Sequence, residues 1–333
     1  MKTKLAIIAA AAALMLVPIQ GMAQDVRLRL AHVFPEQSSV GEAADMFAEL
    51  AAERSDGRID VKVYPAGQLG GDEAIGRGLS RGTIQLAFLN PNSLVGIDPL
   101  FDFHILPYIA TDYEAVDRIF YGERNIIHET LDSTLEKHDM KTLAYFENGF
   151  RDISNSQRPV RTVDDLDGLK LRVVPSQSLK LFFDKAGSQV VIMPFPELFT
   201  ALQQGTVDGQ ENGVILIEQA RFFEAQKYVT LTHHSYVMST ITASQRAFEG
   251  LDEKDRELLT DIAEEVSDWQ IERNRENAEK ALKAIKDAGL EVIEPSAEAQ
   301  EGFRAVADEV WSELTSVYGQ DRVDALRDVM TAD

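Results

Sequence analysis

Two arginines and one asparagine in the middle of the chain have the chemistry to bind a small anion. Arg151 and Arg172 lie at the boundaries of predicted strands, among apolar or amide neighbours rather than in a run of charges, and Asn212 ends the segment Val207–Asn212. A planar guanidinium can bind a carboxylate through two parallel hydrogen bonds, each worth roughly 1.5–3 kcal/mol. From spacing alone, an internal salt bridge to one of the 55 acidic residues explains each arginine equally well.

The chain as a whole is strongly acidic, with a net charge of −22 at neutral pH. A surface of this charge repels nucleic acids and anionic lipids, so we expect no nucleic-acid partner. No stretch after the N-terminal apolar run is long and apolar enough to span a bilayer, so we also expect no direct insertion into a membrane. The same charge repels anionic ligands at long range. A site for an acid must therefore be a local positive pocket.

The N-terminus has the pattern of a cleaved secretory signal peptide. Two lysines precede an apolar run from Leu5 to Val17, and small residues follow at Gly21 and Ala23. Because the run is shorter than the roughly 20 residues that a membrane span requires, we predict a signal peptide at 1–23 and export to the periplasm. Its removal leaves 31 basic and 55 acidic side chains, a net charge of −24.

One segment matches a catalytic motif, but its predicted surroundings do not. Residues 78–82, Gly-Leu-Ser-Arg-Gly, fit the nucleophile elbow of α/β-hydrolases, with Ser80 as the nucleophile. That motif requires a strand before the serine and a helix after it, whereas here a helix precedes Ser80 and a strand begins at Ile84. A helix C-terminal turn is the better interpretation, and a serine hydrolase remains a remote alternative.

Histidines and acidic residues give no metal or cofactor signature. None of the six histidines has the spacing, together with a glutamate, of a zinc protease site, and there are 0 cysteines. Glycines 67, 70 and 71 precede a helix that begins at Asp72, and a helix N-terminus can hold an anion. A plain turn with Asp72 as the helix cap is more probable on charge grounds. We therefore expect no metal, no cofactor and no catalytic residues.

Alternating strands and helices must position these residues. The first half reads βαβαβ, which is typical of an α/β domain with a largely parallel sheet. Its predicted elements are the strands Val26–Val33, Ile59–Tyr64 and Ile84–Leu89 and the helices Ser39–Ala52 and Asp72–Leu79.

The pattern restarts after an irregular stretch at 90–107, which predicts a second α/β unit. Its elements are the strands Thr142–Phe146, Leu169–Val174 and Val190–Met193 and the helices Ser178–Ala186 and Phe195–Gln204. From Leu251 to Ala288 there is almost no glycine or proline, which predicts one long, largely exposed helix that could brace two domains. A further helix is predicted at Val310–Tyr318.

An ordered set of short motifs resembles the substrate-binding proteins of TRAP transporters (tripartite ATP-independent periplasmic transporters), the DctP-like group. The resemblance covers nearly the whole chain after the signal peptide. The motifs are, in chain order, Tyr64–Gly70, Leu106–Tyr108, Asn148–Arg151, Gly168–Val173, Ala201–Gln203 and Val207–Asn212.

The resemblance implies a two-domain periplasmic-binding-protein-like fold, with mixed sheets flanked by helices and a long helix bridging the domains. Domain I is expected to comprise 24–148 and about 238–277, and domain II 149–237 and about 278–333, with the ligand cleft between them. The partners implied are a small organic acid and the membrane permease subunits of a TRAP transporter. The receptor itself is expected to be a monomer and not an enzyme.

The resemblance also assigns ligand-binding roles. Arg172 corresponds to the arginine that pairs with the ligand carboxylate, and Arg151 to one that lies beside the ligand. Asn212 corresponds to the family's asparagine, and Phe195 to an aromatic residue packed against the ligand. Two further polar positions, Asn90 and the weaker candidate Asp72, fall where relatives place ligand contacts.

Two departures from the family pattern bear on the site. Gly213 replaces the proline that commonly follows the asparagine, although Asn212 itself is kept. The segment Asn90-Pro91-Asn92 also differs from the acidic or small residues of some relatives, and it concerns the end of the ligand far from the carboxylate.

We predict a sugar acid, such as D-glucuronate or D-galacturonate, as the ligand. Four asparagines, at 90, 92, 148 and 212, supply the mixed donors and acceptors that several hydroxyls require. The alternative, a C4-dicarboxylate, needs a second cation near the far end, which the sequence does not assign; Arg77 and His32 are the candidates. A scaffold or adhesin without a small-molecule pocket is the remaining class.

Overall fold

The computed structural model describes residues 26–332, so the predicted signal peptide lies outside the described residues. Nine strands are present in this range: β1 Val26–Ala31, β2 Ile59–Tyr64, β3 Leu86–Leu89, β4 Met140–Asn155, β5 Lys170–Val173, β6 Gln189–Ile192, β7 Gly209–Asn212, β8 Tyr228–Ser244 and β9 Glu291–Ile293. The helices of the first half are α1 Ser39–Arg54, α2 Asp72–Ser80, α3 Tyr113–Phe120 and α4 Ile126–Lys137. Those of the second half are α5 Gln177–Lys185, α6 Phe195–Gln203, α7 Val214–Gln219, α8 Gln245–Glu249, α9 Glu253–Asp287, α10 Ala297–Tyr318 and α11 Gln320–Thr331.

All nine described strands form one mixed sheet. Its order is β2-β1-β3-β8-β4-β7-β5-β6, and β9 pairs with β8 beside this path. The strands at each end are parallel, as the alternating pattern predicts, while β4 and β8 run antiparallel to each other and to β7 and β3 respectively, and β9 is parallel to β8. The two predicted α/β units are therefore halves of one continuous sheet.

The long central strands β4 and β8 connect the two ends of the sheet. They pair along almost their whole length, and the register shifts at three points, one of them between Glu147 and Gly149. Gly149 has a φ of 100°, which favours glycine at that shift. A further shift lies between Arg151 and Ile153, so the pairing of β4 is irregular on both sides of this arginine.

The predicted long helix is confirmed as α9. Asp252 caps its N-terminus by accepting a hydrogen bond from the backbone NH of Asp255. A buried stripe that includes Ile262, Val266 and Gln270 packs against β4 and α1, and charged residues cover the opposite face. The helix thus spans both halves of the sheet.

The core has a large cluster along the sheet and a smaller one around α6 and α7, which includes Leu198, Ile217 and Phe222. At the end of the chain, α11 reaches back to α3, where the Arg118 guanidinium donates to the carbonyls of Val329 and Met330. Of the described helices, none combines the length and the apolar character needed to cross a membrane.

Candidate functional site

The C-terminal ends of strands from both halves of the sheet meet at one small cavity. Its polar lining consists of Asp72, Asn90, Asn92, Asn148, Arg151, Arg172 and Asn212, and its apolar lining of Val33, Phe34, Val174, Phe195 and Leu216. The space left inside it is about 10 Å³, which is room for about one water molecule. Six of the seven predicted site residues therefore lie together, and only His32 is outside the lining.

Arg172 has the least satisfied side chain of the cavity. It extends from β5 and is fully buried, and its Nε donates to the carbonyl oxygen of Met193 at 2.8 Å. Its Nη1 and Nη2 have no hydrogen-bond partner among residues 26–332. Burial lowers the pKa of Arg172 to about 10, with Glu211 acting in the opposite direction, so the guanidinium remains charged at neutral pH. Unpaired buried donors of a cation are costly unless an anion meets them.

Arg151 is in the opposite situation, because the protein itself supplies its partners. Its Nε forms an ion pair with Glu211 Oε2, and its Nη2 donates to the Glu211 carbonyl and, at 2.9 Å, to Asn212 Oδ1. Both side chains are buried on adjacent strands, β4 and β7. The salt bridge that spacing alone left open for Arg151 is thus present, while Arg151 still lines the cavity.

Glu211 is a site residue that the sequence analysis missed as a functional group. Burial would raise its pKa, but the charge of Arg151 and the nearby ring of His234, 3.7 Å from Glu211 Oε2, hold the pKa at about 2. Its Oε1 also accepts a hydrogen bond from the Val174 backbone NH at 2.9 Å. Glu211 thereby ties the end of β5 to β4. Its position directly before Asn212, inside a recognised motif, was the available signal.

A second polar network enters the cavity from the other half of the sheet. Asp72 Oδ1 accepts hydrogen bonds from the backbone NH and the side chain of Asn90, and Asn90 Oδ1 accepts from Asn148 at 3.0 Å and Ser239 at 2.8 Å.

The prediction that Asp72 caps α2 is wrong, because Gly71 occupies the cap position and Asp72 is the first helical residue. Burial raises the pKa of Asp72 to about 6, despite the hydrogen bonds from Asn90.

The remaining lining residues differ in how far the protein satisfies them. Asn212 accepts from Arg151 and donates from Nδ2 to Gln210. The buried Asn92 has an Oδ1 atom without a partner in the described part of the chain. Phe195 forms a half-buried wall at the start of α6, with its ring 5.7 Å from that of Phe222.

The candidates for a second cation do not lie in this cavity. His32 is buried, and burial lowers its pKa to about 4, so the ring is neutral at neutral pH. Arg77 is half exposed and pairs with Glu73 at 2.7 Å on the surface of α2.

The catalytic alternative finds no geometric support. Ser80 is the last residue of α2, and its Oγ donates to the carbonyl of His138 at 2.6 Å rather than to a base. No group of three or more histidine, aspartate or glutamate residues within 26–332 is arranged to hold a metal ion.

The chain is similar to known binding proteins over nearly its whole length. Residues 30–316 match the model of the family described as bacterial extracellular solute-binding protein, family 7. The 2,3-diketo-L-gulonate-binding periplasmic protein YiaO of Escherichia coli K12 is 33% identical, covering 80% of each chain. The C4-dicarboxylate-binding periplasmic protein DctP of Rhodobacter capsulatus is 32% identical, covering 97% of this chain and 96% of its own.

A solved structure shares the same architecture. The sugar acid binding protein DctPAm from Advenella mimigardefordensis, in complex with galactonate, superimposes with a TM-score of 0.88 at 31% identity, covering 92% of this chain and 98% of its own. This match confirms the predicted α/β fold of the periplasmic-binding type. Family members are receptors that bind solutes for transport and are not enzymes. This chain therefore belongs to family 7 of the bacterial extracellular solute-binding proteins, the receptors of TRAP transporters.

Proposed function

We propose that the protein is a periplasmic receptor that captures a sugar acid by closing over it and delivers it to the membrane permease subunits of a TRAP transporter. The observation that carries the proposal is the guanidinium of Arg172, whose two terminal nitrogens are buried beside the cavity without a partner among the described residues. A carboxylate supplies two acceptor oxygens at the spacing of those nitrogens. Binding a carboxylate would thus satisfy the least satisfied charge in the cavity.

The other cavity residues favour a hydroxylated acid over a dicarboxylate. Asn90, Asn92 and Asn148 offer amide donors and acceptors, and Asn92 Oδ1 is unpaired within the described chain. A dicarboxylate would need a second cation, but His32 is neutral and Arg77 lies outside the cavity. The relatives include binders of galactonate and of 2,3-diketo-L-gulonate, which supports a sugar acid, and a C4-dicarboxylate binder, which keeps that class as the second candidate.

Within this proposal five of the predicted site residues have defined roles. Arg172 anchors the carboxylate, and Arg151 adds positive charge while holding Asn212 in place. Asn212 and Asn90 contact the carboxylate or adjacent hydroxyls, and Phe195 provides an apolar wall.

Closure follows from the origin of these residues. Because Asn90 and Asp72 come from one half of the sheet and Arg172 and Phe195 from the other, only a closed form contacts the ligand on both sides. We propose that the receptor is a monomer. His32 has no direct contact role in this scheme, because it lies outside the lining.

Calorimetry with D-galactonate, D-galacturonate, D-glucuronate and succinate tests the proposal. We expect at least one sugar acid to bind with micromolar or tighter affinity and to raise the melting temperature by mass action. Tight binding of succinate alone would overturn the sugar-acid assignment. Absence of binding to any carboxylate would overturn the receptor role of the cavity.

A further inference from the structure

A second chamber of about 280 Å³ lies directly outside the ligand cavity. The two spaces share Asp72 and Phe195 in their linings, so these two side chains form the partition between them. The inner cavity leaves only about 10 Å³. A ligand whose carboxylate meets Arg172 and whose chain continues past Phe195 would enter the outer chamber.

Ser93 is the clearest sign that the outer chamber binds a polar group. The residue is only 3% exposed and lines the chamber. Its hydroxyl has no hydrogen-bond partner in the described part of the chain. The preceding residue, Asn92, presents an equally unpaired Oδ1 to the inner cavity. Two consecutive residues therefore offer unpaired polar atoms to the two spaces: Asn92 to the inner cavity and Ser93 to the outer chamber.

The charges in the chamber select against a second carboxylate. Arg77 donates to Glu73 from Nε at 3.1 Å and from Nη2 at 2.7 Å, and both bonds go to Oε1. The guanidinium is thereby neutralised, while Glu73 Oε2 accepts no hydrogen bond from residues 26–332 and can accept one from a hydroxyl. With Asp72 and Glu73 opposed by one arginine, the chamber has a formal charge of −1 when both carboxyls are ionised. An anionic group would be repelled there, whereas hydroxyls would find donors and acceptors.

We infer that the outer chamber is a second subsite that binds the hydroxylated end of a sugar acid longer than four carbons. Ser93 and Glu73 contact the distal hydroxyls, and Arg77 positions Glu73. The inference rests on the proposed function and narrows it, because an acid anchored at Arg172 and too short to extend past Phe195 would gain nothing from the chamber.

Affinities for acids of two lengths test the inference. The probes are D-erythronate, with four carbons, and the tightest binder among D-galactonate, D-gluconate and D-galacturonate, each with six. We expect Ser93→Ala and Glu73→Gln each to weaken binding of the six-carbon acid about tenfold, the loss of one good hydrogen bond. Binding of erythronate should stay within about twofold of wild type, because this acid does not reach the chamber.

Matched controls separate the subsite from general effects. Ser312→Ala and Glu53→Gln replace exposed residues of the same types outside both cavities, and we expect neither to change either affinity. Equal losses for the two acids in the chamber variants, or no loss for the six-carbon acid, would overturn the subsite. If wild type binds none of the four acids, the proposed function fails first and the inference with it.

Discussion

Arg172 and Arg151 line the same cavity, yet the surroundings of their guanidinium groups differ completely. Around Arg151, Glu211 and Asn212 meet the charge within two neighbouring strands. Around Arg172, only the Met193 carbonyl accepts a hydrogen bond, and the two terminal nitrogens are unpaired within residues 26–332. The protein stabilises Arg151 through its own carboxylate, whereas in the proposed function a ligand completes Arg172.

The difference shows why charge and residue type cannot separate a binding arginine from a structural one. Both arginines are buried, and both are near Glu211. What distinguishes them is the number of donors left without an acceptor. Substitutions at the two positions should therefore have opposite consequences for binding and for stability.

The largest effect is expected for Arg172→Ala on ligand affinity. Truncation removes the carboxylate anchor, and loss of a buried, charge-assisted pair typically costs about 3–5 kcal/mol, or at least a hundredfold in affinity. The melting temperature of the unliganded protein should stay within a few degrees, because no carboxylate among residues 26–332 is hydrogen-bonded or ion-paired to Arg172. Calorimetry and thermal melts measure both quantities, with Arg161→Ala as an exposed control. Collapse of the unliganded fold would show that Arg172 is structural.

Arg151→Ala should instead destabilise the unliganded protein by about 3–5 kcal/mol, because it leaves the Glu211 carboxylate buried without its cation. Denaturant unfolding at neutral pH measures the change. A double variant, Arg151→Met with Glu211→Gln, removes both charges and should recover much of the lost stability. If the double variant is as unstable as Arg151→Ala, the buried charge is not the cause.

Strands and helices that have a clear local periodicity of apolar residues could be predicted from the sequence. Strands such as β1 and β2, and the glycine-free helix α9, follow from periodicity and agree with the structure to within a few residues. The strand β8, Tyr228–Ser244, was missed because its threonine, serine and histidine side chains are buried on both faces and show no alternation. The short predicted helix at 310–318 is the second half of α10, which begins at Ala297.

Within the site, the contacts that could not be predicted from the sequence are those between residues far apart in the chain. Arg151 and Glu211 are 60 residues apart, and they meet only because β4 and β7 pair in one particular register. No local spacing reveals that register. The resemblance placed six site residues in one cavity but did not distinguish the satisfied arginine from the unsatisfied one, which depends on atomic geometry.

Asp72 offers a test of the electrostatics around Arg172 through pH. Its pKa in the folded protein is raised to about 6 from an ordinary value of 3.8, so the folded state holds a proton that the unfolded chain has lost between these values. The contribution of Asp72 to the free energy of unfolding is therefore fully present below about pH 4 and is lost as the pH rises through 6. Asp72→Asn should stabilise the unliganded protein by about 1–3 kcal/mol at pH 8 and by almost nothing at pH 4.

Unfolding by denaturant at the two pH values measures this difference. An equal gain at both would mean that the carboxyl charge is irrelevant and that Asn simply packs better. A loss at pH 8 would mean that the charge of Arg172 stabilises the Asp72 carboxylate more than burial penalises it.

The smallest expected effect concerns Gly71, at the rim between the two ends of the sheet. A Cβ atom at Gly71 would lie 3.1 Å from Pro194 Cβ, a tight contact between α2 and the segment before α6. Gly71 has a φ of −75°, so alanine fits its backbone without strain. Gly71→Ala should weaken sugar-acid binding about threefold to tenfold by hindering closure, and leave the stability of the unliganded protein unchanged or slightly higher.

This pattern, weaker binding without lost stability, is the one expected at Arg172 and the reverse of that expected at Arg151. Gly302→Ala is the matched control, because its new Cβ would meet only Val163 Cγ1 at an ordinary 3.6 Å. Calorimetry and thermal melts on both variants decide the matter. Undiminished affinity in Gly71→Ala would mean that the contact with Pro194 does not limit closure. A loss of stability would place Gly71 with Arg151, among the residues that hold the unliganded fold together.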